Sequence, residues 1–464
     1  MHPMSLTAIA AVTGGRLADV LDPEAQVTQQ AVFDSRDAVP GSLFIALQGA
    51  HADGHAYAEA AANQGATAAL VTRPVGVPAI VVDDVLTAFG RLGHALRRDA
   101  LSTVRIVAIT GSAGKTSTKD LVAQALPGSV VATPQSFNNE IGLPLTVTMA
   151  KPDTDYLVLE MGARHIGDIR DLTHIAPPDI SVITNVGTAH LGEFGSRDNI
   201  AQAKGEIVEG LSRGGLAVLN ADDDYIEHMK DRATERVVTY GLSEQADIRA
   251  VDVHLDAQGR ASYALTTPEG TARVHLLFLG EEQVHNSLAA AAVAREAGLD
   301  VDQIAARLSQ ALPRSRWRME TTTRPDGVTI VNDAYNANPD SMRHSLSTLA
   351  AMTGRHDQRS VVVLGRMNEL GADARSAHQE IGRYAAELGL DQIILVGGTE
   401  AGWIHEAARD AGANAVHLRD QARALAFLRS TLRAGDAVLV KASRGVELQQ
   451  LAQALLQPDP EPAA

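Results

Sequence analysis

The chain of 464 residues has no cysteine. That absence excludes disulfides, thiolate metal sites, iron–sulfur clusters and any cysteine nucleophile or thioester intermediate. It fits a reducing, cytoplasmic setting. Long apolar runs are missing too: nothing approaches the roughly 18 consecutive apolar residues of a membrane helix. The first fifteen residues lack a basic segment followed by an apolar core, so no secretory signal is expected. Positive charge is scarce. Lysine and arginine total 40 against 56 aspartates and glutamates, a net charge of -16, the reverse of the basic surface a nucleic-acid binder carries. Lysine is scarcest, with only Lys115, Lys119, Lys151, Lys204, Lys230 and Lys441. Coding bias accounts for the ratio. A retained lysine can still do what arginine cannot, as a compact point charge or as an amine that loses its proton when buried.

What is present points to a multi-domain α/β protein. At roughly 150 residues per domain the length suggests three, and 45% hydrophobic residues can fill several cores. The pattern divides into residues 1–102, 103–313 and 314–464, with an acidic, proline-rich tail at 457–464 expected to be disordered. The first block has short apolar runs (SLFIAL, TAALVT, AIVVDD) between helical stretches. The second opens with the run 104–110, followed by runs at 156–160, 180–184 and 216–219. Helical patterns separate them, which predicts a parallel sheet. The third block repeats the pattern (VTIVN, VVVLG, QIILVGG, AVLVKAS) and reads as a Rossmann-like unit.

The segment Thr110-Gly111-Ser112-Ala113-Gly114-Lys115-Thr116 lies between a buried strand and a helix. Glycines let backbone N–H groups close around phosphate oxygens, the helix N-terminus adds its positive end, and lysine adds charge. Thr116 is placed for Mg²⁺. The loop is a shortened G-x-x-G-K-T, since Ile109 stands where the longer pattern has its first glycine. Glu160 and His190 follow two further strands, and strand C-termini in such a sheet share one edge. Both should therefore converge on the phosphates, with Glu160 offering the oxygen a hard cation wants. The alternatives are a helix cap for Glu160 and an ordinary loop histidine for His190.

Residues 198–211 read as a helix with Asp198 as its N-cap, and Lys204 falls on the apolar stripe of Ile200, Ala203, Ile207 and Val208. Burial lowers a lysine pKa. Two readings stand: Lys204 snorkels or pairs with an acid such as Glu206 or Glu160, or its neutral amine adds CO₂ and becomes a carbamate ligand. Asn138-Asn139 reads either as substrate amides or as an Asx turn with a helix cap. His285-Asn286 opens an alanine-rich helix. The run 332–339, NDAYNANP, has the polar density of a site at a strand end.

Together these motifs resemble the Mur ligase family of bacterial cell-wall synthesis over nearly the whole chain. TGSAGKTSTK is similar to its ATP loop. LEMGARHIGDI, NVGTAHLGEFGS and AKGEI are similar to its metal and activation segments, and the stretch around Asp34-Ser35-Arg36 to its uridine-binding domain. NDAYNANPDSM most resembles the branch that adds D-alanyl-D-alanine to UDP-N-acetylmuramoyl-tripeptide. The resemblance implies a cytoplasmic, monomeric ATP-dependent ligase with small-molecule substrates, no nucleic-acid partner and no membrane insertion. It implies three domains: a small uridine-binding α/β domain, a central parallel-sheet ATPase and a Rossmann-like domain contacting dipeptide and nucleotide.

The resemblance also implies roles. Residues Thr110 to Thr116 would hold ATP, with Lys115 on the transferring phosphoryl group. Thr116 and Glu160 would hold one Mg²⁺, His190 and a carbamylated Lys204 a second. His285 and Asn286 would lie near adenine, and Arg318 and Asp333 would reach the nucleotide. Ser35 and Arg36 would contact the uridine end; Asn138, Asn139, Tyr335, Asn336 and Asn338 would contact substrate. Two residues depart from the family pattern: Arg366 where Asp is usual and Arg164 where Asn is common. They put local contacts to the peptide in question.

Overall fold

The structure, a computed structural model, describes residues 1–49, 52–354 and 358–457. Of the expected tail, 458–464 lie outside the described residues. Three α/β layers follow one another along the chain. The first is a five-stranded sheet in the order Arg16–Ala18, Ala79–Val81, Ala68–Val71, Leu43–Ile45, Ala31–Val32, parallel except at its first edge. Its helix Val85–Ala95, capped by Asp84, lies against the next layer. Gly90 faces Ile175, and a Cβ on Gly93 would stand 3.1 Å from Pro144. Phe89 and Leu92 share one continuous core with Leu143 and Leu157 of the next layer.

The central sheet has nine strands. Seven run from Val130–Ala132 through Tyr156–Glu160, Arg105–Thr110, Ile180–Ile183, Leu216–Asn220 and Arg236–Gly241 to Ile248–Leu255, all parallel. The middle strands are buried on both faces, which is why they read as unbroken apolar runs. Arg260–Thr267 and Gly270–Leu279 extend the sheet antiparallel. Sequence reading passed over that extension because Arg260–Thr267 alternates exposed and buried positions and contains no continuous run. Chain order reverses at Arg105–Thr110, whose neighbours are Tyr156–Glu160 on one side and Ile180–Ile183 on the other. A crevice opens at the strand C-termini at such a reversal. The exits are level there: Glu160 pairs with Ile109, and Ile183 with Thr110.

The third layer is a six-stranded sheet ordered Glu320–Thr323, Thr329–Asn332, Ala437–Lys441, Ser360–Leu364, Gln392–Val396, Ala415–Leu418, parallel except for its first strand. The runs read from sequence lie on its inner strands.

One local expectation is corrected. The helix that carries Lys204 spans Arg197–Glu209, and its cap is Ser196, whose hydroxyl accepts from the Asn199 N–H. Asp198 lies inside the first turn, where its charge suits the positive helix end without closing the cap. Ser196→Ala is therefore expected to lower stability by about 1 kcal/mol in urea unfolding. A larger loss from Asp198→Ala than from Ser196→Ala would contradict this assignment.

Candidate active site

The phosphate loop is built by close approach. Gly111 has φ 151°, and a Cβ there would stand 1.8 Å from Thr184 Oγ1. Gly114 has φ 80°, and its Cβ would stand 2.5 Å from Asn286 Oδ1. Residues after the neighbouring strand hold the loop between these points. Asn185 accepts from Ser112 N–H with its carbonyl and from Ala113 N–H with Oδ1, and its amide donates to Ala113 O at 3.1 Å. Thr184 Oγ1 donates to the same carbonyl at 2.6 Å, and Ser112 Oγ accepts from Gly187 N–H. Helix Lys115–Ala125 has no side-chain cap, so its first N–H groups are free for phosphate oxygens. Lys115 Nζ donates to Gly111 O at 2.6 Å. Burial lowers its pKa, and the Glu160 carboxylate opposes that shift.

Glu160 is buried at its strand end. Its Oε2 accepts from Thr116 Oγ1 and its Oε1 from Asn138 Nδ2, each at 2.8 Å. Thr133 Oγ1 accepts from its N–H. Thr116 and Glu160 thus present two hard oxygens side by side at the loop, a donor set suited to a divalent cation with phosphate ligands. Asn139 also lines the cleft, and its Oδ1 accepts from the N–H groups of Ile141 and Gly142 at the start of helix Gly142–Met149, the Asx turn that was one of its two readings.

Lys204 is 3% exposed and lines the same cleft. Burial, then the charge of Lys115, holds its pKa well below the ordinary lysine value. Neither expected acid pairs with it. Glu206 accepts from Gly167 N–H and Arg170 N–H and pairs with the Arg170 guanidinium, while Glu160 is committed to Thr116 and Asn138. Among the described residues no ion pair includes Lys204, and no group of three or more His, Asp or Glu converges as a metal site. His190 has a left-handed backbone, φ 61°. Its Nδ1 lies 2.7 Å from Glu369 Oε2 but off the angle of a hydrogen bond. Burial and Lys115 lower its pKa, and Glu369 raises it.

The third layer closes over this edge. Arg318 sits between two residues with left-handed backbone, Trp317 and Met319. Its guanidinium donates to Ser136 Oγ at 2.9 Å and lies 4.4 Å from the Tyr335 ring centroid; Ser136 Oγ is 3.2 Å from Thr116 Oγ1. Asp340 Oδ2 accepts from Thr188 N–H, and Arg164 pairs with Glu369 at 3.1 Å. Together the layers enclose a cleft of about 800 Å³.

The expected residues divide accordingly. Ser112 to Thr116, Asn138, Asn139, Glu160, His190, Lys204, Asn286, Arg318, Asp333, Tyr335, Asn336 and Asn338 line the cleft. Thr110 and Gly111 support the loop from behind. His285 does not line the cleft; its Nε2 lies 2.8 Å from Asp222 Oδ2. Asn286 does, bonded to Thr118 and Gln283. Ser35 and Arg36 belong to the first layer, away from the cleft, and Arg36 is exposed and bonded to Asp34. Asp333 faces the cleft with its carboxylate engaged: Ser345 and Lys441 donate to Oδ2 and Met319 N–H to Oδ1. It therefore fixes the residue next to Arg318. Asn338 Oδ1 caps helix Pro339–Gly354 through Ser341 N–H. Sequence reading missed Asn185, Ser136, Lys441 and Asp340. Lys441, a lysine in an arginine-rich chain at a strand end, had a legible signal; Asn185 and Ser136 are ordinary polar loop residues, and Asp340 is an ordinary acidic residue in the first turn of helix Pro339–Gly354.

Family models match in chain order: the Mur ligase family catalytic domain at residues 31–102, the Mur ligase middle domain at 109–294 and the Mur ligase glutamate ligase domain at 317–444. The chain belongs to the Mur ligase family. Within this family it is 45% identical to the UDP-N-acetylmuramoyl-tripeptide–D-alanyl-D-alanine ligase of Mycobacterium tuberculosis, covering 99% of each chain. It is 34% identical to the Escherichia coli ligase of that name, over 96% of this chain and 98% of that one. The crystal structure of MurF from Acinetobacter baumannii superposes with a TM-score of 0.87 at 31% identity, covering 98% of this chain and 99% of that one. MurF from Thermotoga maritima in complex with ADP superposes at 0.79, with 29% identity over 93% and 97%. The Mur ligase cleft of this chain depends on Gly114 having no side chain. Gly114→Ala is expected to weaken ADP binding at least tenfold by calorimetry while the circular dichroism spectrum is retained. Unchanged ADP affinity would refute the loop geometry.

Proposed function

We infer that this chain joins D-alanyl-D-alanine to UDP-N-acetylmuramoyl-tripeptide with consumption of ATP, giving the pentapeptide, ADP and phosphate. The observation that carries this reading is the phosphate loop with Thr116, Glu160 and Arg318 meeting the NDAYNANP segment across one cleft. The full-length likeness to enzymes of that name supports the substrate pair.

A carboxylate does not acylate an amine near neutral pH. Transfer of the γ-phosphoryl group makes it an acyl phosphate; the dipeptide amine then attacks the carbonyl, and the tetrahedral oxyanion collapses with loss of phosphate. The free N–H groups at the start of helix Lys115–Ala125 hold phosphate oxygens, and Lys115 and Arg318 place positive charge on either side of the transferring group. Arg318 comes from the third layer, so closure and charge neutralisation occur together and water is excluded from the reactive acyl phosphate. Thr116 and Glu160 would hold one Mg²⁺, which when bound neutralises phosphate charge. Ser35 and Arg36, in the first layer, would take the uridine end of the nucleotide substrate. Asn138 and the Tyr335–Asn338 segment would face the muramoyl peptide and the dipeptide.

Lys204 is a buried amine with no acid partner among the described residues, and its lowered pKa leaves a larger neutral fraction to react with CO₂, releasing a proton as the carbamate forms. The carbamate would give His190 the oxygen-bearing companion that a second Mg²⁺ needs. Arginine could not supply it.

In an ADP-release assay, turnover is expected only when ATP, UDP-N-acetylmuramoyl-tripeptide and D-alanyl-D-alanine are all present. Equal release without the dipeptide would favour a phosphotransferase and end this reading. For Lys204, Lys204→Ala is expected to lose at least 100-fold in kcat and to regain part of it with added short-chain carboxylates. If neither that rescue nor a CO₂-dependent mass increase of the native chain is seen, Lys204 acts as a plain amine.

A further inference from the structure

A second cavity, of about 820 Å³, lies outside the cleft. Its wall has three sources: the turn between strands Ile248–Leu255 and Arg260–Thr267, the linker at 312–316, and the first strand of the third layer, Glu320–Thr323. Pro313, Ser315 and Met319 line both this cavity and the cleft, so the linker forms the partition between them. The size suits a small molecule.

Three arginines line the cavity: Arg260, Arg314 and Arg316. All are exposed, and among the described residues none has an acidic partner or a side-chain hydrogen bond. The chain holds 56 acidic residues against 40 basic ones, and exposed arginines elsewhere do find an acid: Arg36 takes Asp34, Arg73 takes Asp53 and Arg98 takes Asp99. One acid, Glu320, lines the cavity, and its Oε2 accepts from Trp317 N–H at 2.9 Å. Three cations on one wall without a counter-ion repel each other, and a multiply charged anion relieves that repulsion.

The arginines stand on fixed backbone. Asp256 Oδ1 accepts from Gln258 N–H at 2.9 Å and from Arg260 N–H at 2.8 Å, which closes the turn. Gly259 in that turn has φ 79°, and a Cβ there would stand 2.9 Å from Met352 Cγ, so the turn rests against helix Pro339–Gly354. Asp120 Oδ2 accepts from Arg314 N–H at 3.2 Å and Ser315 N–H at 2.9 Å, and Gln124 Oε1 accepts from Leu312 N–H at 3.1 Å. Backbone held this way before binding loses little freedom on binding. Leu277, Leu279 and Met352 add an apolar wall, and a low-dielectric wall strengthens the field of the charges beside it. Guanidinium groups match phosphate oxygens in geometry as well as charge.

We propose that this cavity binds a small phosphate-bearing anion on Arg260, Arg314 and Arg316, at a site separate from the phosphate loop. The central-layer turn, the linker and the third layer all contribute to its wall, so the occupant ties them together. The site takes no part in acyl transfer and stands independently of the amide-ligase reading. It explains why these three arginines have no acid: the ligand supplies the negative charge.

Calorimetric titration of the full chain with pyrophosphate, free of divalent cations, tests this. The native chain is expected to show a site that survives Gly114→Ala, which disturbs only the phosphate loop. Arg260→Ser, Arg314→Ser and Arg316→Ser combined are expected to weaken that site about tenfold or more, and each substitution alone about three- to tenfold. ADP affinity should stay within about twofold in all of these arginine variants, since the phosphate loop is a separate site. The proposal is overturned if Gly114→Ala abolishes all pyrophosphate binding, or if the triple variant binds pyrophosphate as the native chain does. Should the triple variant lose ADP binding as well, the single variants decide: unchanged pyrophosphate affinity in all three overturns the site.

Discussion

The close fit of the phosphate loop between two neighbouring elements is the constraint on which the rest of the cleft depends. Gly111 clears Thr184 on one side and Gly114 clears Asn286 on the other. Neither gap admits a methyl group. With the loop fixed this way, helix Lys115–Ala125 starts at the exits of the central strands, and Thr116 meets Glu160 at hydrogen-bond distance. The arrangement is held largely through loop backbone groups: the N–H groups of Ser112 and Ala113 and the carbonyl of Ala113 meet Asn185 and Thr184. It is intolerant of any change in strand register, since Thr184, Asn185 and Glu160 all come from strand ends whose alignment sets the loop's walls.

The third layer is bound to this centre through polar contacts. Arg318 to Ser136, Asp340 to Thr188 and Glu369 to Arg164 all cross the cleft. Apolar contact joins the layers as well: Leu279, at the end of the central sheet, packs in the core of the third layer with Val331 and Met352. Within the layer the buried Asp333–Lys441 pair performs the opposite task. It fixes Met319 and so aims the neighbouring Arg318. A buried ion pair contributes little net stability but makes one geometry much cheaper than the alternatives, and losing one partner strands the other charge. The six lysines are thereby partly explained. Lys115 and Lys204 face the cleft. Lys441 neutralises a buried carboxylate. Lys119, also buried, donates to the carbonyls of Thr133 and Gln135 and lies 3.1 Å from Asp120, which holds the N–H groups of Arg314 and Ser315 in the linker to the third layer.

The two departures from the family pattern have different outcomes. Arg164 acquires a partner across the cleft in Glu369, which also approaches His190. Arg366 is exposed, and only its backbone carbonyl is used, by Ser443. The structure gives no account of why an arginine side chain stands at 366.

Much of the architecture was legible from the residues because its signals are local. Buried parallel strands appear as continuous apolar runs, and 156–160 was bounded to the residue. The glycine loop announces itself by composition, and a lysine on an apolar stripe must be buried wherever its helix packs. The antiparallel strand Arg260–Thr267 was not legible, since its half-buried alternation lacks a continuous run. The cap at Ser196 lost to a nearby Asp198 because both residues suit a helix start and only backbone geometry separates them. The amino-acid sequence by itself determined the elements, the loop chemistry and the burial of Lys204. Which acid meets which base was decided only by tertiary structure. Glu206 turns to Arg170, Asp333 to Lys441 and His285 to Asp222, while Arg444 has no acidic partner among the described residues. Pairing depends on distances between residues far apart in the chain, set by strand order and domain closure, and no local pattern encodes those distances.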